Sequence, residues 1–145
     1  MDQEQIIKAL SARSTLPPLT PKSVFDLTIR KAIEDNCPNR LIAAALHVLN
    51  DDLNSAHPHA QAFEGDPTAD YWHAIVHRRE GDYSNSRYWF GRVGSHPVVL
   101  ALYGDPLGAS RFVNECRIVN PSGVRALEEK QWSEMLRLLE YTIGG

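Results

Sequence analysis

His73 and His77 stand four residues apart within DYWHAIVHRREGDYSNSRYWFGRVGSHP, Asp70–Pro97. On a helix that spacing puts both imidazoles on one face. Such a pair can transfer protons near neutral pH, or clamp a transition metal. Asp51 and Glu80 are the carboxylates that would orient an imidazole or act as partner base. His73, His77, Asp51 and Glu80 are therefore the catalytic candidates. Arg79, Arg87 and Arg92 carry the forked guanidinium that grips a carboxylate or phosphate. Tyr83, His47 and the loop residue His96 complete a candidate ligand-binding set.

Each of these residues also has a structural reading. A helical histidine pair can equally sit at a hydrogen-bonded core edge. Ala74 follows the first histidine where a zincin would carry glutamate, so the HExxH protease pattern is absent. Were a metal bound at His73 and His77, Glu80, Asp51 or His47 would supply the next ligand. The sequence by itself calls for no cofactor, and a transition metal at this pair is the alternative. Arg78-Arg79-Glu80 reads either as a solvated helix end, where cations suit the dipole, or as an ion-pair network with Arg87 or Arg92. Tyr71, Trp72, Tyr83, Tyr88, Trp89 and Phe90 hold half of the twelve aromatics. Trp72 and Phe90 suit a core, whereas Tyr83 and Tyr88 suit a pocket wall. His96, before Pro97, would act in catalysis or satisfy a helix end. His57 and His59 flank Pro58 and read as surface loop. No nucleophile elbow, P-loop or dinucleotide fingerprint is present.

The elements that must position these groups are helical. Gln3–Ala12 reads as a short helix, and Pro17, Pro18 and Pro21 stiffen the connector that follows. Thr20 and Pro21 would start a second helix carrying Val24, Phe25, Ile29 and Ile33. A third would run from about Asn39 to Asn54, with Leu41, Ile42, Ala45, Leu46, Leu49 and Leu53 inward. The fourth would span Thr68–Arg79 and stop at Gly81. Asp82 or Ser84 would cap a fifth, ended by Gly94. Val98–Tyr103 suits helix or strand. Asp105 would cap a helix from Pro106 to Val119. Gly123–Thr142 would form the last helix, burying Trp132, Met135, Leu136 and Leu139, and Gly144-Gly145 would fray.

With Trp72 at the centre of a buried face, Asp70, His73, His77 and Glu80 share a neighbouring strip about 80° wide. His47, Asn50, Asp51 and Asn54 form a similar strip on the third helix. If the two helices pack antiparallel, both strips would line one cleft, with Tyr83, Arg87 or Arg92 on its rim. Such half-desolvated edges are where pKa values become tunable.

Composition sets the outer bounds. A chain of 145 residues, 43% apolar and 23% charged, fits one soluble domain. No strand of convincing alternation appears, so the expected fold is all-α, about seven short helices in a single domain over 1–145. A net charge of −3 opposes a nucleic-acid partner recognised through a broad basic field. No apolar run reaches membrane length. The acidic start MDQEQ is unlike a secretory signal, and Cys37 and Cys116 read as reduced, buried thiols of a cytoplasmic protein.

The YWHAIVHRREGDYSNSRYWF segment resembles one found in small proteins of bacteria and fungi. There a tryptophan–histidine helix, an HRRE segment, an acidic–tyrosine turn and a YWF helix follow in this order. The resemblance covers about a fifth of the chain closely and implies a shared fold; that group has no established activity to transfer. The YWF helix also resembles the second helix of tetratricopeptide-like units, which implies helical hairpins. The functional expectation is a His/Arg/acid-lined pocket for a small polar or anionic molecule, with general acid–base chemistry. A helical protein-interaction module and a metal-dependent hydrolase-type site on His73 and His77 are the alternatives.

Overall fold

The Asp2 carboxylate accepts the Gln5 backbone N–H, and the Gln5 side chain returns the bond, so a capping box starts α1 (Gln3–Ser11). Side-chain caps start most of the other helices in this computed structural model, which describes residues 1–144. Asp26 accepts from the N–H groups of Thr28 and Ile29 and opens α2 (Leu27–Asn36). The helix therefore begins six residues beyond Pro21. The Asn50 side chain holds the intervening chain out of helix: it accepts from Asp26 N at 3.1 Å and donates to Asp26 O at 2.9 Å. Phe25, expected inward, is exposed and carries the Arg13 guanidinium 3.8 Å from its ring centroid.

Asn39 caps α3 (Arg40–Leu49). The helix expected to continue to Asn54 stops here, because Asp51 takes a left-handed φ of 58°. Asp52 then caps a separate α4 (Leu53–Gln61). The segment His57-Pro58-His59, expected as surface loop, lies inside α4. Pro58 removes one helical bond, to the carbonyl of Asn54, and Asn54 is exposed to water.

Asp66 and Pro67 start α5 (Pro67–Glu80), and Gly81 ends it at φ 85°. Asp82 caps α6 (Tyr83–Val93), and the His96 ring caps α7 (Pro97–Tyr103), so Val98–Tyr103 is helix. Asp105 accepts from Leu107 N, but α8 (Gly108–Ile118) starts only at Gly108. A Cβ at Gly108 would stand 2.0 Å from that of Tyr103, so only glycine permits this approach. After a 3₁₀ turn at Pro121–Gly123, α9 (Val124–Gly144) closes the fold. Its buried stripe holds Met135, Leu138 and Leu139, with Trp132 and Leu136 half-buried. Gly144 completes that helix, and Gly145 lies outside the described residues.

The fold is all-α, with nine α-helices and no strand among the described residues. Ile6, Leu10, Ile33, Leu46, Leu49, Trp72, Ile75 and Met135 anchor the main core. A smaller cluster of Leu19, Phe112 and Cys116 lies under the proline-rich connector. That connector is tied to α9, since Leu19 N donates to Glu128 and Gln131 Nε2 donates to Leu19 O. α5 and α6 form a helical hairpin, and α4 packs between α3 and α5. The decisive feature is α5: twelve of its fourteen residues are buried. A helix covered all round must find internal partners for every ionisable group it carries. Both cysteines are free and buried, and no described helix is long and apolar enough to cross a membrane.

Candidate functional site

His57 and His59 sit two positions apart on α4, hence about 200° apart around it. One faces α5 and the other faces α2 and α3, so each joins a different cluster.

On the α5 side, His57 Nε2 lies 3.0 Å from His73 Nε2, with the rings nearly perpendicular. At that distance one nitrogen donates and the other accepts, so the two rings hold complementary tautomers. The His73 and His77 rings lie 4.7 Å apart between centroids, and those of His57 and His77 5.5 Å. Trp89 stacks on His73 at 4.2 Å. One ring nitrogen from each of His57, His73 and His77 falls within 4.8 Å of the others. No carboxylate is hydrogen-bonded to these rings, and the closest ion-pair contact is Glu80 Oε1, 3.7 Å from His77 Nδ1. Asn85 Nδ2 approaches His77 Nε2 at 3.3 Å. The Nδ1 atoms of His73 and His77 are buried without a partner. Burial, with repulsion from His77 and His57, pushes His73 down to about 4. Burial also lowers His77, although Glu80 pulls the other way. Burial thus favours the neutral form of both rings.

On the other side of α4, the Glu34 carboxylate lies 2.7 Å from His47 Nε2 and 3.2 Å from His59 Nε2. His47 is fully buried, and its Nδ1 faces Asp52 at 3.8 Å. His47 thus belongs to a different constellation from His73 and His77.

Asp51 and Arg79 meet each other but not the histidines. Arg79 Nη2 donates to Asp51 Oδ1 at 2.7 Å, and Arg13 Nη2 lies 3.0 Å from Asp51 Oδ2. Arg79 also donates to the carbonyls of Val48 and Pro18. This sealed knot fastens the connector to α3 and α5. The expected single cleft lined by both ionisable strips is not formed: α4 packs against both α3 and α5, and its His57 takes the place beside His73 and His77 while its His59 lies beside His47. Arg78 is buried as well, paired with Glu134 at 2.7 Å and bonded to Gln131. Tyr71 and Tyr103 both donate to the other Glu134 oxygen.

The remaining candidates are dispersed. Arg87 and Arg92 are exposed, the latter 5.3 Å over the Trp89 ring. Tyr83 is half-buried and packs against both apolar clusters. The His96 Nδ1 accepts from Val98 N, which leaves Nε2–H to donate to Thr68 Oγ1 at 3.0 Å. An open cleft of about 590 Å³ lies between residues 20–24 and the start of α4, where Lys22, Arg30, Asp51, Asp52, Arg79 and Glu80 line it.

Sequence reasoning missed His57, His59 and Glu34. Pro58 argued for a loop, yet Asp52 three residues before Ser55 is an N-cap signal for a helix that would carry both histidines. No protein-family model, curated protein or solved structure matches this chain.

Proposed function

We propose that His57, His73 and His77 bind one first-row transition-metal ion, zinc by preference of ligand type, and that the bound ion supports hydrolytic chemistry. The observation that carries this is the convergence of three imidazoles, free of carboxylate hydrogen bonds, with ring nitrogens within 4.8 Å of one another. Two tetrahedral Zn–N bonds place their nitrogens about 3.3 Å apart. The His57–His73 separation of 3.0 Å needs only a small expansion to admit the ion. His77 Nδ1, buried without a hydrogen-bond partner, further favours a ligand over packing alone, since orphaned buried polar atoms are costly. Three protein ligands leave a fourth position for water, whose pKa on zinc falls to about 7. Glu80, exposed at the rim and close to His77, is placed to orient that ring or take a proton. The reduced, buried cysteines accord with a cytoplasmic protein.

The test is calorimetric titration of chelator-treated protein with Zn²⁺ and Co²⁺. Each of His57→Ala, His73→Ala and His77→Ala is expected to weaken one bound equivalent by tenfold or more, about 1.4 kcal/mol. Metal uptake unchanged in all three variants would sink the reading.

A second reading rests on the 590 Å³ cleft. Its volume suits a small molecule, and Lys22 and Arg30 on its wall suit a polar or anionic one. Lys22→Ala with Arg30→Ala would abolish that binding and leave the equivalent held by His57, His73 and His77 intact.

A further inference from the structure

We infer that Glu34, His47 and His59 form a second transition-metal site, of mixed carboxylate and imidazole ligands, across α4 from the three-histidine cluster. Its ligand atoms also lie within 4.8 Å of one another. They come from three helices, α2, α3 and α4, so an ion here would cross-link elements distant in sequence. The His47 and His59 rings stack at 5.7 Å with an interplanar angle of 14°. Both therefore present Nε2 to the same Glu34 oxygen. Two imidazoles with one carboxylate is a ligand set that holds zinc and leaves a position for water.

The surroundings support the inference through His47. A metal on Nε2 moves the ring proton to Nδ1. That nitrogen is now buried without a hydrogen-bond partner. It faces the Asp52 carboxylate at 3.8 Å, so a small approach of that carboxylate would complete a carboxylate–histidine–metal arrangement. Asp52 is itself fixed by Arg30 Nε at 2.6 Å and by capping Ser55 N.

One group opposes the ion. Arg40 Nε donates to His59 Nδ1 at 3.1 Å, and its Nη2 reaches the Pro58 carbonyl. With metal on His59 Nε2 the Nδ1 becomes a donor, and Arg40 must swing away. Arg40 is exposed, so water can take over its bonds. Its charge and its hydrogen bond both disfavour the bound state, which gives this site a signature that simple packing lacks.

The inference does not depend on the three-histidine centre, and His57→Ala against His59→Ala separates the two. Chelator-treated wild-type protein, titrated with Zn²⁺ and followed by calorimetry and native mass spectrometry, is expected to take up two equivalents. Glu34→Gln and His59→Ala each lose one equivalent and keep the one that His57→Ala loses. Both altered residues are partly exposed, so these variants should fold, and an unchanged circular dichroism spectrum verifies it. Asp52→Asn retains a helix cap and weakens the second equivalent ten- to a hundredfold. Arg40→Ala tightens it. Absence of any equivalent that Glu34→Gln and His59→Ala both lose would overturn the inference, whatever the three-histidine centre takes up. So would a second equivalent indifferent to Glu34→Gln and His59→Ala, or one that Arg40→Ala weakens.

Discussion

Asp51 is the residue whose replacement tests the energetics of this fold most directly. Its two oxygens hold Arg79 at 2.7 Å and Arg13 at 3.0 Å, with side-chain exposures of 4%, 0% and 2% respectively. Removing its charge leaves two buried cations facing each other, with only backbone carbonyls to receive them. Breaking a buried pair costs about 3–5 kcal/mol, far above the value of an exposed pair. Asp51 also occupies a left-handed φ of 58°, which Asn tolerates and Ala does not. Asp51→Asn therefore removes the charge while keeping the turn. Asp51→Ala adds about 1–2 kcal/mol of backbone strain. In urea denaturation at pH 7, Asp51→Asn should lose about 3–5 kcal/mol. At about 2–4 °C per kcal/mol for a domain of this size, that is a fall in Tm of roughly 6–20 °C. A loss under about 1 kcal/mol, the range of a surface pair, would refute the claim that the knot is sealed and holds the connector. Equal losses for Asn and Ala would refute the argument from φ.

Two further outcomes follow from buried titrating groups. Burial raises the Asp70 carboxyl above its ordinary range, against a hydrogen bond from Gly65 N that lowers it. Its folded pKa exceeds its unfolded one, so its contribution is fully present below the unfolded pKa and lost as pH rises through the folded pKa. Asp70→Asn keeps an oxygen for Gly65 N, and its Tm at pH 7 should exceed that of wild type; the gap should close as pH falls through the carboxylate range. A gap constant with pH would count against the ionisation argument. Burial pushes the Cys116 thiol up to about 11, with Glu134 and Glu115 adding to it against Arg78 and Lys130. Cys116 should therefore resist a thiol-specific reagent at pH 8 in native protein and react promptly in denaturant. Rapid native labelling of Cys116, located by peptide mass mapping, would contradict its packing against Leu19 and Phe112.

The stop of α5 and the start of α6 were legible because their signals are local. Gly81 and Asp82 act within a few residues of themselves, through a left-handed stop and an N-cap. The start of α2 was not legible, because Asn50 fixes the preceding chain from 24 residues away. The break after α3 was not legible either, because Asp51 takes its left-handed turn paired with Arg79 and Arg13 from distant segments. Local rules also fail at Pro58, where packing on both sides keeps α4 helical.

The sequence alone established an all-helical chain, and it marked Asp70–Pro97 as the stretch richest in candidate site groups. Only the tertiary structure decided which partners those are. Arg78 meets Glu134 across 56 residues, and Tyr71 reaches it across 63. His73 finds His57 rather than His47 or Asp51, because α4 packs against α5 and brings its own histidine to that face. Helix-forming bonds span four residues and are written locally, whereas a buried ionisable group is satisfied by whatever the packing brings to it.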